Sequence, residues 1–309
     1  PFGEMLVDEH INSFNTPFKF NGKEYDEETG NYYYGARYYD PKWSMFIGVD
    51  PLADKYPDWS SYAYCFNNPI RYVDPDGRAP EDIIYVNAKG GVIKVVKDGS
   101  AIITIVDADG NKYSPSTLDS NNTYHRKIMA SVAGHYRTKM GIDPKYKTAA
   151  GPNPEGDLAN KNPAFTSHNN NHIVINTQGG FNKHLDDANN LMNVIKHENL
   201  HQVNNEKGIT STIFNHADVY LGQFGDDTFK NTTPEFKLGQ IHSFANYLLN
   251  LDRDPTVNQN HIVDKIDAFN KLKTGYYINN PGNFKKGQLN LKIYHGKDVY
   301  KVKYEKVDN

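Results

Sequence analysis

Residues 185–205 read LDDANNLMNVIKHENLHQVNN, and this stretch decides the fold of the longer part of the chain. Its apolar residues recur at spacings of 3 to 5, which predicts a helix with one buried face. Asp186 and Asp187 at the start and Gly208 just beyond the end are typical of helix boundaries.

The predicted helix carries His197, Glu198 and His201 in the pattern HExxH. Residues four apart lie one turn above each other, so both imidazoles reach one point and Glu198 lies beside it. This pattern is typical of a zinc site in which the metal activates water and the glutamate transfers the proton. It therefore predicts a zinc-dependent endopeptidase with Glu198 as catalytic base. The alternative is a solvated helix face without a chemical role.

A catalytic zinc needs a third protein ligand, and the next predicted helix offers two. We prefer His216, because Tyr220 then follows one turn later as a catalytic donor that stabilises an oxyanion. Asp218 is the second candidate, as in the aspzincins that this spacing resembles. Glu206 is a more distant third, since it follows the first helix too closely.

Overall, the layout resembles the zincin superfamily of HExxH peptidases. The metzincin pattern HExxHxxGxxH does not fit, because Asn204 and Lys207 stand where it needs Gly and His. The apolar run at 172–176 predicts a strand, and the resemblance implies that this strand is the sheet edge that pairs with an extended substrate. His168 and His172 suggest a nuclease-like metal site, but we interpret them as polar loop residues before this strand. His242 is interpreted as a packed or capped core residue.

The remaining pattern after residue 78 predicts hairpins followed by helices. Residues 82–113 alternate between apolar and polar side chains and are interrupted by Gly-containing turns, which predicts successive β-hairpins. Helices are expected at 123–140, 210–224, 233–251 and 256–272, with Thr233 as N-cap and Pro234 in the first turn. The tail at 288–306 predicts one more hairpin.

Residues 18–78 have a different pattern, in which short Tyr and Phe runs alternate with turn signals. The stretches NGKEYDEETGNYYYGARYYDP and DPLADKYPDWSSYAYCFNNPIRYVDPDG resemble the Rhs-repeat-associated core of the YD-repeat family. The resemblance implies a β-rich shell that encloses a variable C-terminal toxin. It also implies export by a contractile (type VI) secretion machine or a similar route, and a cognate immunity protein in the producing cell.

The end of this core in the family carries a self-cleavage element, PxxxxDPxGL. Pro69, Asp74, Pro75 and Gly77 match it, whereas Arg78 replaces its Leu. Self-cleavage after Arg78 is therefore a hypothesis, with Asp74 and Asp50 as a carboxylate pair that shares a proton. The alternative is that both aspartates only open Asp-Pro turns.

Charge separates the two parts of the chain. Residues 1–78 carry 7 basic and 13 acidic residues, whereas the remainder carries 27 and 24 and also 11 of the 12 histidines. The small positive excess and the absence of a basic run argue against a nuclease toxin, which is the second hypothesis. A non-catalytic shell or adhesion fragment with a structural metal site is the third. One cysteine, Cys65, excludes an intramolecular disulfide framework.

These observations predict an α+β protein. Residues 1–78 form a β-rich Rhs core segment, and residues 79–309 form a mainly helical, zincin-like metallopeptidase toxin domain with a small sheet and a hairpin module at 79–115. We expect a peptide or protein substrate, no nucleic acid partner, and no membrane span, because no apolar run approaches roughly 20 residues. We also expect synthesis in the bacterial cytoplasm and delivery into a target cell. Pro1 in place of an initiator Met suggests a piece of a longer chain.

Overall fold

The computed structural model describes residues 2–4, 17–51, 53, 60–67, 69, 74, 77, 82–96, 101–154, 162–167 and 169–307. The chain divides into two compact units, one comprising Pro1–Ile84 and Lys94–Thr104, the other Tyr85–Ile93 and Ile105–Asn309. Both helices and small sheets are present, which agrees with the predicted α+β class. Residues 78–81 lie outside the described part, so the predicted boundary at 78 stays a prediction.

The first unit contains a four-stranded antiparallel meander whose strands are β1 (Glu24–Asp26), β2 (Asn31–Tyr33), β3 (Tyr38–Asp40) and β4 (Met45–Phe46). Aspartate side chains shape two of its turns. Asp26 accepts hydrogen bonds from the N–H groups two and three residues later, and Asp40 does the same. The turns that were predicted at these positions are therefore confirmed, and the aspartate hydrogen bonds explain why they form.

The alternation of the strands buries one tyrosine of each neighbouring pair. Tyr32 faces Tyr39 across β2 and β3 in the core, and Tyr33 faces Tyr38 on the exposed side. Among the described residues of this unit, one buried core cluster contains Tyr32, Tyr34, Tyr39, Phe46, Tyr64 and Cys65. Aromatic rings thus supply the buried area that aliphatic residues supply in most domains.

The predicted hairpins after residue 82 form a four-stranded sheet in the order β6-β5-β7-β8. Its strands are β5 (Asp82–Val86), β6 (Val92–Val96), β7 (Ile103–Val106) and β8 (Lys112–Tyr113). Asp107 closes the β7–β8 turn by accepting hydrogen bonds from the N–H groups of Asp109 and Asn111.

A second sheet, in the second unit, has the order β10-β11-β9. Its strands are β9 (Thr148–Gly151), β10 (Ala164–Thr166) and β11 (Ile173–Asn176). β11 pairs antiparallel with β10 and parallel with β9. The predicted strand at 172–176 is therefore confirmed, but its predicted position at the sheet edge is wrong. All four of its residues are buried, as expected for a continuous apolar run flanked by strands on both sides.

The described residues form six α-helices, and all except α4 lie close to the predicted bounds: α1 (Thr123–Lys139), α2 (Ala188–Glu206), α3 (Ile213–Phe224), α4 (Asp227–Lys230), α5 (Pro234–Arg253) and α6 (Gln259–Lys271). Short polar side chains cap their N-termini: Asn122, Asp187, Thr212, Asp226, Thr233 and Asn258. Pro234 occupies the first turn of α5, as predicted. The short helix α4 was not expected.

The C-terminal tail forms a three-stranded sheet rather than an isolated hairpin. The predicted hairpin is present as β13 (Lys292–His295) and β14 (Asp298–Lys301), and β12 (Tyr277–Ile278) pairs with β13. Apolar residues of this sheet join the core formed by α3, α4, α5 and α6. This core includes Ala217, Tyr220 and Phe224 of α3, so it holds this helix in place.

Candidate metal centre

Helix α2 is fixed at its N-terminal end by two side chains. Asp187 caps it by accepting hydrogen bonds from the N–H groups of Asn189 and Asn190. The side-chain amide of Asn190 makes two hydrogen bonds with Thr233 at the start of α5. It accepts one from the Thr233 N–H at 3.0 Å and donates one to the Thr233 hydroxyl at 3.1 Å. These contacts set the rotation of α2 and thus the direction of its histidines.

Three histidines converge where α2 meets α3. One ligand atom from each of His197, His201 and His216 lies within 4.8 Å of the others, and the Nε2 atoms of His197 and His216 are 3.1 Å apart. The rings of His201 and His216 have centroids 4.5 Å apart. The structure therefore brings together the three residues that the sequence analysis selected as ligands.

Burial keeps two of these imidazoles neutral. It lowers the pKa of His197 to about 4, while the hydrogen bond with Gln223 acts in the opposite direction. Burial also lowers the pKa of His216, and the positive charges that His197 and His201 would carry lower it further. Neutral imidazole is the form that binds a metal ion.

The donor set fits a zinc ion. Two nitrogen ligands that each lie about 2.1 Å from a tetrahedral zinc ion are roughly 3.4 Å apart. This distance is close to that between the Nε2 atoms of His197 and His216. Two buried ring nitrogens at this distance need a proton or a cation between them, because two lone pairs repel each other. Three imidazoles with a fourth direction open are typical of catalytic zinc sites.

Glu198 is 6% exposed and contacts β10. The Thr166 hydroxyl lies 2.8 Å from Glu198 Oε2 and 2.9 Å from the Glu198 carbonyl oxygen. Burial raises the pKa of Glu198 to about 7, and the Thr166 hydrogen bonds oppose this shift. A carboxyl group with a pKa near neutrality can both accept and return a proton. The role of Thr166 was not anticipated from the sequence.

Tyr220 lies one turn after His216 on α3, and its ring packs against the rings of two histidines. Its centroid is 4.8 Å from that of His197 and 5.3 Å from that of His216. Burial raises its pKa, as does the nearby charge of Glu198, so the hydroxyl stays protonated. The ring of Tyr247 on α5 stacks on that of His216 with the centroids 4.4 Å apart, a contact that was not predicted from the sequence.

Neither alternative third ligand lies in the cluster. Asp218 forms an ion pair with Lys265 of α6, because two residues along a helix rotate a side chain by about 200° from His216. Glu206 is exposed and pairs with Lys145 at 2.9 Å. Of the three candidates for the third ligand, His216 is the one that lies with His197 and His201, and its role as a metal ligand stays a prediction.

Of the other histidines considered in the sequence, the two that the structure describes, His172 and His242, are not part of the cluster. His168 lies outside the described residues, and His172 is half-buried before β11. His242 is half-buried on α5, where its ring lies 6.4 Å from that of Tyr300. The interpretation of His242 as a packed residue fits this position.

The first unit contains a separate cluster around Arg37. Its guanidinium pairs with Asp50 at 2.8 Å and with Asp74 at 3.7 Å, and it donates to the carbonyl oxygens of Ser61 and Gly77. Asp74 also accepts a hydrogen bond of 2.7 Å from the Gly77 N–H. Both aspartates of the self-cleavage hypothesis therefore meet at one cation, close to the Gly77 peptide.

A family comparison bears on the second unit. The family model described as metallopeptidase toxin 2 matches residues 84–285, more than half of the chain. The chain belongs to the metallopeptidase toxin 2 family. The matched range contains the three histidines, Glu198 and Tyr220. The description of this family indicates a toxin of the metallopeptidase type, which is consistent with the imidazole cluster.

Several curated proteins are similar to parts of this chain. The toxin subunit YenC2 of Yersinia entomophaga is 37% identical over 113 residues, which cover 36% of this chain and 11% of YenC2. The tRNA nuclease WapA of Bacillus subtilis is 48% identical over 63 residues, or 19% of this chain and 3% of WapA. The uncharacterised Escherichia coli protein YibJ is 40% identical over 146 residues, which cover 47% of this chain and 58% of YibJ.

These matches cover less than two thirds of each of these relatives, so they describe shared segments rather than shared whole proteins. No solved structure matches the chain. Among the described residues, every helix is too short or too polar to cross a lipid bilayer.

Proposed function

We propose that this chain is a zinc-dependent endopeptidase toxin in which His197, His201 and His216 hold the ion and Glu198 is the catalytic base. The observation that carries the proposal is the convergence of three imidazoles within 4.8 Å, beside a buried glutamate of the same helix. Family membership supports the toxin role and the peptidase class.

The side chains divide the reaction between them. Zinc, when bound, supplies a Lewis acid that polarises a carbonyl and acidifies water. Glu198 takes a proton from the attacking water and returns it to the leaving amine nitrogen as the C–N bond breaks. The products are a carboxyl group and an amine. The Tyr220 hydroxyl, held protonated, is the proposed donor to the carbonyl oxygen as charge develops there.

An extended peptide is the proposed substrate, and β10 is the strand it would pair with. The hydrogen bonds of Ser167 with His172 and of Asn176 with Pro163 fix the register with β11. The N–H and C=O groups of Thr166 then point away from β11, while its hydroxyl contacts Glu198. This edge replaces the edge that the sequence analysis assigned to residues 172–176.

Glu198→Gln tests the peptidase assignment. We expect the variant to retain about one zinc per chain and to lose at least ~100-fold in hydrolysis of a fluorescent casein substrate, because the base is removed and the ligands remain. Glu206→Gln is the matched control on the same helix and should hydrolyse casein like the wild type. Casein cleavage by Glu198→Gln at the wild-type rate would contradict the assignment, as would a wild-type chain without zinc.

The delivery role is the second part of the proposal. Residues 18–78 resemble an Rhs core, and YenC2, a toxin subunit, shares a segment with this chain. We propose that the second unit acts inside a target cell after export in a shell, and that an immunity protein protects the producer. Expression of the chain in a bacterial cytoplasm should then arrest growth, whereas Glu198→Gln should not. Equal toxicity of both chains would refute a catalytic toxin.

Self-cleavage after Arg78 stays a proposal, and the cluster around Arg37 supports it. Asp50 and Asp74 share one guanidinium, and Asp74 holds the Gly77 N–H one residue before the proposed bond. Incubation of the full chain should release a fragment that begins at Ala79, and Asp74→Asn should abolish it. Asp40→Asn, in an exposed turn of the same unit, is the control. A wild-type chain that stays intact would contradict self-cleavage.

A further inference from the structure

Gln223 is a fully buried amide whose side-chain oxygen faces the cluster of three histidines. It lies on α3, seven residues after His216, and its Oε1 is 2.8 Å from Nδ1 of His197. Seven residues correspond to nearly two helical turns, so Gln223, Tyr220 and His216 share one face of α3. Neither the peptidase motif nor the choice of ligands uses this residue.

The direction of the hydrogen bond between Gln223 and His197 follows from a chain of contacts that begins at a carboxylate. Asp226 accepts from the Thr228 hydroxyl at 2.8 Å, and Lys196 pairs with its other oxygen at 2.9 Å. A carboxylate paired with a lysine can only accept, so Thr228 must donate to it. The hydroxyl oxygen of Thr228 is then available as an acceptor.

The contacts continue from Thr228 through two amides. Asn193 donates from Nδ2 to the Thr228 hydroxyl at 3.0 Å and to the main-chain carbonyl oxygen of Gln223 at 3.5 Å. Its Oδ1 therefore faces Gln223, whose Nε2 donates to it at 2.7 Å. Nε2 also donates to Oε1 of Gln240 at 3.3 Å. With both amide hydrogens of Gln223 directed to oxygens, only Oε1 is left for His197.

These contacts determine which nitrogen of His197 carries the proton. Because Gln223 Oε1 can only accept, Nδ1 of His197 must donate, and the lone pair lies on Nε2, which faces His216 at 3.1 Å. We infer that Gln223 is a positioning residue that holds His197 in the one tautomer whose Nε2 can bind the metal. This inference rests on the proposed function of the site.

The amide differs from a carboxylate in this position. A carboxylate beside a ligand histidine would add a negative charge to a buried site, whereas Gln223 fixes the tautomer without charge. Its two donor bonds to Asn193 and Gln240 also couple α3 to α2 and α5. The side chain therefore sets both the orientation and the protonation of one ligand.

The test compares Gln223→Met with Gln240→Met in otherwise complete chains. In metal-free protein, nitrogen NMR of labelled histidines should show the His197 proton on Nδ1 in the wild type and in Gln240→Met. In Gln223→Met the form with the proton on Nε2 should appear. Zinc affinity, measured by competition with a chelator, should fall ~10- to 100-fold in Gln223→Met and stay unchanged in Gln240→Met.

Two further variants keep the test decisive. Gln223→Glu retains an acceptor for His197 and should restore the tautomer and the zinc affinity. If Gln223→Met does not fold, Thr228→Val breaks the chain of contacts further from the site and should shift the tautomer in the same direction, with a smaller loss of affinity. A wild-type tautomer and wild-type zinc affinity in the folded variants would overturn the inference. A wild-type chain that binds no zinc would instead refute the proposed function, because the tautomer is measured without metal.

Discussion

The tyrosine-rich sheet of the first unit and the histidine cluster of the second bury polar groups in different ways. In the first unit the polar groups satisfy one another. The hydroxyls of Tyr34 and Tyr64 are 3.0 Å apart, and Asn21 donates to Tyr64 at 2.7 Å. Arg37 likewise meets two carboxylates and two carbonyl oxygens. Such closed networks stabilise a fold without needing a ligand.

In the second unit, Nε2 of His197 faces Nε2 of His216 at 3.1 Å, and burial lowers the pKa of both rings. The tautomer set by Gln223 places a lone pair in this gap. Burial alone therefore does not distinguish a structural polar group from a functional one. What distinguishes them is whether the neighbouring groups complement each other or all present the same kind of atom to one point.

The largest expected effect comes from removing one of these nitrogens. His216→Asn should lose zinc on dialysis and reduce peptide hydrolysis by at least ~1,000-fold, because two imidazoles on one helix do not complete a catalytic site. His242→Asn is the matched control, because His242 is a half-buried histidine of α5 that is not one of the three clustered histidines. Metal analysis and casein hydrolysis measure both. Full zinc content in His216→Asn would exclude this residue as a ligand.

Chelation should next separate the two units by stability. An ion present at about 1,000 times its dissociation constant stabilises the folded form that binds it by ~4 kcal/mol. Removal of zinc should therefore lower one calorimetric transition by about 10 °C. Both tryptophans, Trp43 and Trp59, belong to the first unit, so tryptophan fluorescence reports that unit. Its transition should be unchanged by chelation, and an equal shift of both signals would show that the units unfold together.

Arg37→Met should have the converse effect. Removing the guanidinium leaves Asp50 and Asp74 without their buried counter-charge, which we expect to cost ~3 kcal/mol. Urea unfolding followed by tryptophan fluorescence should show this loss, while zinc content stays unchanged. Lys42→Met, an exposed cation of the same sheet, is the control. Unchanged stability in Arg37→Met would mean that the carboxylates are solvated or protonated.

Much of the histidine cluster could be predicted from the sequence because local rules determine it. The spacing of His197 and His201 fixes their common face on α2, and short polar residues mark the helix starts. Helical rotation also explains why His216 and not Asp218 reaches the cluster. The same rotation places Gln223 on the face of His216, a signal in the sequence that was available but not used.

Other features depend on packing between distant segments. The hydroxyl of Thr166 reaches Glu198 because β10 pairs with β11. No local sequence pattern predicted the three-residue strand β10. The continuous apolar run of β11 does indicate a strand covered on both sides, which argues against an edge position. The interaction of Tyr247 with His216 requires the crossing of α3 and α5, which periodicity alone does not determine.

The smallest effect is expected from Tyr34→Phe, which removes one hydroxyl from the closed network. At neutral pH the loss of its contact with Tyr64 should cost ~1 kcal/mol.

Burial raises the pKa of Tyr34 to about 12 in the folded chain, against about 10 when it is unfolded. The wild type should therefore lose stability as the pH rises from 10 to 12, since the unfolded chain releases this proton first. The variant should lose less over this range, and Tyr33→Phe, which changes a residue that is 44% exposed, should behave like the wild type. Urea unfolding at pH 7 and pH 11, followed by tryptophan fluorescence, measures the difference. Parallel losses in the wild type and Tyr34→Phe would mean that the hydroxyl pair titrates as if it were in water.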